Sequence, residues 1–298
     1  MVEREPIGIV GLGNMGISVA TRLAERYRVV GFDPYPSQRA RQMVEDGRLQ
    51  LVDAPLGTVV GEAVVLSLPT PAISRDIVAA IAAAPALRLI VETSTVSPSD
   101  MAATAALCVP HSVALVDAAI LAGVQPMLDG TATLLVGGDD AAVEIARPVL
   151  ESFSAEIQVI GPLGAGMAAK VINNAVAHAV MVILAEAGAL AAANGIPRAR
   201  IAELLSGRDG GLIRPLEHRF KERVLTGDYV GGMPTDAARK DSTLALQLGQ
   251  DGHVPLFGIQ AAHTVYELAV SAGLDKLDYA SIATLWETWT GRSFSDDA

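Results

Sequence analysis

The sequence predicts an α/β protein in two parts, an N-terminal parallel-sheet domain over residues 1–162 and an all-helical C-terminal domain over residues 163–298. Three observations lead there. Short β-branched runs alternate with Ala-rich amphipathic stretches up to about residue 160, a glycine-rich turn follows the first of these runs, and the stretch Ala165–Ala193 has no proline and, past its first turn, one glycine, Gly188. The alternation is the signature of repeated strand–helix–strand units around a parallel sheet. A length of 298 residues also exceeds the usual size of a single domain.

In the first part the pattern predicts strands at 7–10, 29–32, 63–68, 89–92, 113–116, 133–136 and 157–160, with helices at 17–25, 37–46 and 72–83. In the second part, residues 165–193 read as one helix, ~44 Å long at ~1.5 Å per residue. It is apolar on most faces, so it must lie at the centre of a domain or at an interface. Further helices are predicted at 198–205, 237–250, 257–272 and 279–289, and no strand. Residues 208–219, with Gly210 and Gly211 together near the start, read as irregular.

Composition narrows the function. A net charge of −11 opposes long-range attraction to nucleic acid or an anionic membrane surface, so a small molecule is the expected partner. Hydrophobic residues make up 51% of the chain, but they fall in blocks broken by Gly, Pro or charge, and no membrane span is expected. The N-terminus lacks the basic start and cleavage site of a secretory signal, so a cytoplasmic location is expected. The single cysteine, Cys108, reads as a small buried hydrophobe, and the five histidines show no metal-ligand spacing.

Gly11-Leu12-Gly13-Asn14-Met15-Gly16 matches the G-x-G-x-x-G pattern between a predicted strand and a predicted helix. In that context the first glycine permits a tight turn, the second lets the backbone approach a pyrophosphate, and the third lets helix and strand pack closely. The helix N-terminus then meets the phosphates. Asp33 follows at the end of the second predicted strand, where a carboxylate can bond the ribose hydroxyls and repel a 2′-phosphate. The expected cofactor is NAD, favoured over NADP. Arg39 and Arg41 are close enough in sequence to weaken that preference.

Four ordered segments together resemble the β-hydroxyacid dehydrogenase family, which includes 3-hydroxyisobutyrate dehydrogenase and tartronate semialdehyde reductase. They are the glycine turn, Asp117-Ala118-Ala119-Ile120-Leu121-Ala122-Gly123 with residues 130–138 after it, Gly161-Pro162-Leu163-Gly164-Ala165-Gly166 leading to Lys170 and Asn173-Asn174, and Arg239-Lys240-Asp241. The resemblance implies a Rossmann-type N-terminal domain and a helical substrate and dimerisation domain. It also implies cofactor contacts at Leu68, Pro69 and Thr95, Lys170 as general acid/base, and Asn174 as a substrate-positioning group. Lys240 becomes a cofactor or substrate contact, and the substrate a small anionic hydroxy acid or the corresponding carbonyl compound. A homodimer or homotetramer is implied as well. Lys170 and Asn174 are four apart and share one helix face. A lysine in such a site is brought toward neutrality by burial and takes the hydroxyl proton as a hydride leaves.

One segment departs from the pattern. The resemblance places a serine and a glycine before Gly123 to bind the substrate's acid group, whereas this chain has Leu121 and Ala122. A desolvated anion still needs compensation, and Arg208, Arg214, His218, Arg219 and Arg239 are the cationic candidates. Two other readings compete with a hydroxyacid dehydrogenase: an imine-reductase-like NADP-dependent enzyme, and a catalytically idle NAD-binding module. Lys170 argues against the first, and retention of both Lys170 and Asn174 argues against the second.

Overall fold

The computed structural model describes residues 4–295. The chain divides into two compact units, residues 1–174 and residues 175–298.

Unit 1 is built on an eight-stranded sheet of order β3-β2-β1-β4-β5-β6-β7-β8. The strands are β1 Pro6–Val10, β2 Arg28–Phe32, β3 Leu49–Leu51, β4 Ala63–Leu66, β5 Leu89–Glu92, β6 Ala114–Leu121, β7 Thr133–Gly137 and β8 Glu156–Gly161. Pairing is parallel except between β6 and β7. The sequence predicts the parallel core but not this reversal, and the connection explains it. The eleven residues between Leu121 and Thr133 hold one short helix, Val124–Asp129, and fall just below the dozen or more that a parallel crossover takes.

The helices of unit 1 are α1 Asn14–Leu23, α2 Gln38–Glu45, α3 Pro71–Ile81, α4 Pro98–Cys108, α5 Val124–Asp129 and α6 Asp140–Phe153. Their starts are written locally. Ser37, Thr70, Ser97 and Asp139 accept the N–H groups of Ala40, Ile73, Asp100 and Ala142, and Pro71 and Pro98 occupy the first turn, where no N–H is needed. Helices cover both faces of the sheet, one over a cluster that includes Ile9, Leu23, Leu134 and Phe153, the other over Leu66, Ile81, Ile90 and Met101. Cys108 lies in the second cluster, and burial pushes its thiol up to about 11.

Helix α7, Ala165–Ala193, spans the range read from the sequence and contributes to both units. Its first turn is buried at Gly166 and Met167, whereas Val171, Ile172, Val176, Met181 and Val182 are exposed. By length and apolar content α7 meets what a bilayer-crossing helix needs, and 11% of its most apolar window is buried. That qualifies the expectation that no segment approaches a spanning length.

Unit 2 continues with α8 Arg198–Ser206, α9 Ile213–Pro215, a π-helix over Leu216–Val224, α10 Thr235–Asp251, α11 Phe257–Ser271 and, after a 3-10 turn at Tyr279–Ile282, α12 Ala283–Thr290. Residues 213–224 are therefore helical, not irregular as the glycines before them suggest. The order comes from Asp278, a fully buried carboxylate. It pairs with Arg219 at 3.1 Å and accepts the N–H groups of Met233 and Ala280. Glu186 of α7 accepts the N–H groups of Phe257, Gly258 and Ile259, which open α11.

Candidate active site

The strand order reverses between β1 and β4, and in an open parallel sheet that switch point, at the carboxyl ends of the strands, is where ligands bind. The glycine turn follows β1 and the Ser67-Leu68-Pro69 loop follows β4. A cleft of about 570 Å³ opens between them, lined by Gly11, Gly13, Asn14, Met15, Gly16, Asp33, Leu68 and Pro69 among others.

Backbone geometry assigns each glycine of the turn its own reason. Gly11 has φ +93°, a left-handed conformation in which a side chain is strained, and an added Cβ would strike the Ser67 carbonyl. A Cβ on Gly16 would strike the Gly11 carbonyl, so α1 could not pack against β1. Gly13 faces open space and caps α1 without a side-chain bond. The first-turn N–H groups of a helix have no intrahelical partner, and here they face the cleft, so the surface fits a dinucleotide pyrophosphate.

Leu12 departs from its expected role. Its side chain is fully buried in the core, and its N–H donates to Oδ2 of Asp33 at 2.7 Å. Oδ1 of Asp33 accepts the Tyr35 N–H at 2.8 Å. Both bonds hold the carboxylate at the cleft, where one oxygen face of each remains for ribose hydroxyls. Arg39 and Arg41 are exposed on α2.

Three groups that sequence reasoning missed also shape the cleft. Tyr35 lines it and is 88% exposed. Ser94 Oγ accepts the Leu68 N–H at 2.7 Å, while Glu92, buried at the end of β5, accepts the Ser94 N–H at 2.8 Å and the hydroxyl of Ser74 on α3. Desolvation pushes the Glu92 carboxyl up, and the Ser74 and Ser94 bonds offset part of the rise. Glu92 and Ser94 stand in the run Glu92-Thr93-Ser94-Thr95, of which the resemblance implies a contact for Thr95 alone. That residue is exposed and does not line the cleft.

The substrate-side residues lie elsewhere. Leu121 ends β6 with 37% exposure, Ala122 packs against the core, and Gly123 caps α5. Lys170 and Asn174 are half-buried on α7, while Asn173 and His178 are exposed. Among the described residues Lys170 has no ion-pair or hydrogen-bond partner, and desolvation by burial holds its amine below the usual lysine range. Lys240 is in unit 2, 67% exposed and 3.3 Å from Asp241. Several other cations are already paired: Arg219 with Asp278, Arg239 with Asp236 and Glu267, and His218 with Glu222. The described residues contain no metal-binding cluster.

Comparison with known proteins agrees with this arrangement. Residues 6–161 match the model for the NAD-binding domain of 6-phosphogluconate dehydrogenase, and residues 164–286 match that for the NAD-binding region of NADP-dependent 3-hydroxyisobutyrate dehydrogenase. The chain is 31% identical over 294 residues to 2-(hydroxymethyl)glutarate dehydrogenase from Eubacterium barkeri, covering 97% of each. It is also 31% identical to 3-hydroxyisobutyrate dehydrogenase from Pseudomonas aeruginosa, covering 94% of this chain and 98% of that protein. Among solved structures, 3-hydroxyisobutyrate dehydrogenase from Mycobacterium tuberculosis with L-serine aligns at TM-score 0.64 and 28% identity, over 95% of this chain and 99% of that one. An imine reductase from Myxococcus stipitatus in complex with NAD+ aligns at TM-score 0.83 and 20% identity, over 94% and 99%, a likeness of fold alone. With a dinucleotide cleft at the switch point and both halves of the chain matched, the protein belongs to the β-hydroxyacid dehydrogenase family of NAD(P)-dependent oxidoreductases.

Proposed function

We propose that this protein is an NAD-preferring dehydrogenase that interconverts a small hydroxy acid and its semialdehyde or keto acid, with Lys170 as general acid/base. The observation that carries this reading is Lys170 itself, a half-buried amine with no countercharge among the described residues, one helical turn before Asn174. A buried cation without a partner is costly, and in an enzyme of this family a use for it is proton transfer.

Gly11, Gly13, Asn14, Met15, Gly16, Asp33, Leu68 and Pro69 would hold the cofactor, with Thr95 at the neighbouring strand end. When bound, the nicotinamide supplies the hydride acceptor for alcohol oxidation and the donor for the reverse reaction. Neutral Lys170 takes the hydroxyl proton as the substrate's C–H hydride leaves, and returns it to the carbonyl oxygen in reduction. Asn174, on the same face of α7, orients the substrate oxygen through its amide.

For the acid group, Leu121, Ala122 and Gly123 supply backbone groups but no side-chain donor. Arg219, Arg239 and His218 are engaged in the ion pairs described above, which leaves Arg208 and Arg214 as the cations to test, together with Lys240, whose pair with Asp241 is exposed. A buried anion requires one of them or an equivalent donor. The exposed apolar face of α7 fits a second copy of the chain, and we place the enzyme in the cytoplasm as a homodimer or homotetramer.

An NADH absorbance assay over hydroxy acids, keto acids and cyclic imines tests the substrate class. Lys170→Ala should lower kcat by about 10²- to 10⁴-fold with NADH binding retained; a near-normal kcat removes Lys170 from the reaction. Asp33→Ala should lower the preference for NAD over NADP in kcat/KM by about tenfold or more, and a wild-type enzyme that prefers NADP shows the reading of Asp33 to be wrong.

A further inference from the structure

We infer that Asp117 is a positioning residue for Lys170, acting through the first turn of α7; the inference rests on the proposed role of that lysine. Asp117 stands where β6 changes partners. Up to this residue β6 pairs with β5, with Asp117 opposite Glu92, and from it onward β6 pairs with β7, with Asp117 opposite Gly137. Its side chain has no solvent exposure.

From there the carboxylate reaches the start of α7. Oδ1 accepts the Gly164 N–H at 2.6 Å and Oδ2 accepts the Met167 N–H at 2.8 Å. The helix has no cap of its own, since the preceding residues are Pro162, Leu163 and Gly164, none with a polar side chain. An anion 47 residues back in the sequence takes that place, and a helix N-terminus favours it electrostatically.

Three glycines make room for the contact. A Cβ on Gly137 would collide with Oδ1 of Asp117 and sit 2.9 Å from the Ala165 nitrogen, and one on Gly166 would sit 2.9 Å from Oδ2. Gly164, at φ +91°, turns the chain from β8 into α7.

Lys170 comes three residues after Met167 and four after Gly166, on the same face of the helix and ~4.5 Å further along its axis. Met167 is fully buried and its N–H is held by Asp117. The grip on Met167 therefore sets where the Lys170 amine stands. A reacting group displaced by ~1 Å can cost about 10²-fold in rate, so a clamp at this turn has kinetic weight that its contribution to folding does not express.

The test compares Asp117→Asn, Gly137→Ala, Lys170→Ala and the Asp117→Asn/Lys170→Ala double variant in the full-length enzyme. The assay is the best hydroxy-acid substrate, with NADH binding followed by fluorescence and folding by thermal melting. Asp117→Asn keeps the side chain's shape but can place an N–H against a backbone N–H. Gly137→Ala pushes the same junction from β7 and leaves the carboxylate charged. Each folded single variant should lose about tenfold or more in kcat, with the Kd for NADH within about threefold of wild type. Added to Lys170→Ala, Asp117→Asn should cost less than about threefold more, because the group it positions is gone.

A folded Asp117→Asn enzyme with wild-type kcat overturns the inference, and so does a full multiplicative loss in the double variant. If Asp117→Asn does not fold, Gly137→Ala decides by the same criterion, and failure of both to fold makes the carboxylate a folding determinant and ends the inference. A Lys170→Ala enzyme as active as wild type instead overturns the proposed chemistry, and the positioning role falls with it.

Discussion

Unit 1 and unit 2 bury their apolar surface differently. In unit 1 helices cover both faces of the sheet, and two extended clusters hold most of the large aliphatic side chains. In unit 2 the buried cluster consists of Val224, Ala280 and Ala283, while Leu204, Leu244, Phe257 and Trp289 stand exposed, as do the α7 residues Val176 and Val182. What unit 2 has inside is charge: Asp278 bound by Arg219 with Arg223 at 3.7 Å, and Glu186 across the start of α11. Unit 1 has completed a hydrophobic core from its own chain. Unit 2 has fixed its helix ends and leaves these apolar side chains exposed, a surface that the proposed second copy of the chain would cover.

The largest effect should come from breaking that cover. Val176→Asp, at a site 59% exposed in the single chain, should convert the wild-type oligomer to a monomer by light scattering and lower Tm by more than about 5 °C. The matched change in unit 1, Val109→Asp at a site 73% exposed, should leave stability within about 0.5 kcal/mol. A wild-type enzyme that is monomeric, or equal effects at the two sites, breaks the comparison.

A smaller effect is expected at Glu186. Desolvation alone would raise its carboxyl, but the N–H groups of Gly258, Ile259 and Phe257 outweigh it and hold it below the usual range. Because the folded form is the more acidic, its contribution is present above the unfolded carboxylate pKa, about 4.3, and is lost as pH falls through the lower folded value. Glu186→Gln should therefore cost about 1–3 kcal/mol at neutral pH, with the gap to wild type closing in acid. A gap that persists unchanged to the acid limit would show that the charge is not what braces α11.

At Lys170 the sign reverses and the effect on folding is smallest. Burial holds this cation's folded pKa below the ordinary lysine value, so the charged form is disfavoured in the fold, and stability rises as pH climbs from the folded toward the unfolded pKa. Lys170→Met should keep or raise Tm at neutral pH while abolishing turnover. For wild type, kcat/KM for alcohol oxidation should rise with pH through the folded pKa and then level off. A marked fall in Tm would make Lys170 a structural residue.

Much of this was legible in the sequence because it is encoded locally. The glycine turn and the proline-free run of α7 each carry a local signal, whereas α4 and α6, although capped locally by Ser97 and Asp139, are not among the helices the pattern predicts. Partners distant in sequence carried less. The extension of β6 to Leu121 depends on β7, the helical winding of 213–224 depends on Asp278, and β3, three residues long, is too short for periodicity to register. In the site, sequence reasoning found the glycine turn, Asp33, Leu68 and Pro69 of the cleft lining but not Tyr35, nor the residues that hold the lining in place. Glu92, Ser94 and Asp117 act through hydrogen bonds spanning 26 to 50 positions for Ser94 and Asp117, and no local pattern announces such a bond.

The strand order also bears on how the chain comes off the ribosome. β4 docks beside β1, and from β5 onward each strand of the sheet docks beside the one made just before it, so no later segment must be threaded between strands already paired. A nascent chain can thus extend the sheet in the order of synthesis, at ~5–20 residues per second, with a single growing edge that is always the newest strand. When synthesis has passed Gly161, that edge is β8, where Val159 and Ile160 are exposed; unpaired strand edges are where neighbouring chains add on. The other edge of the sheet, β3, is three residues long, so the surface on which crowded nascent chains could stick to one another lies mainly along the growing edge.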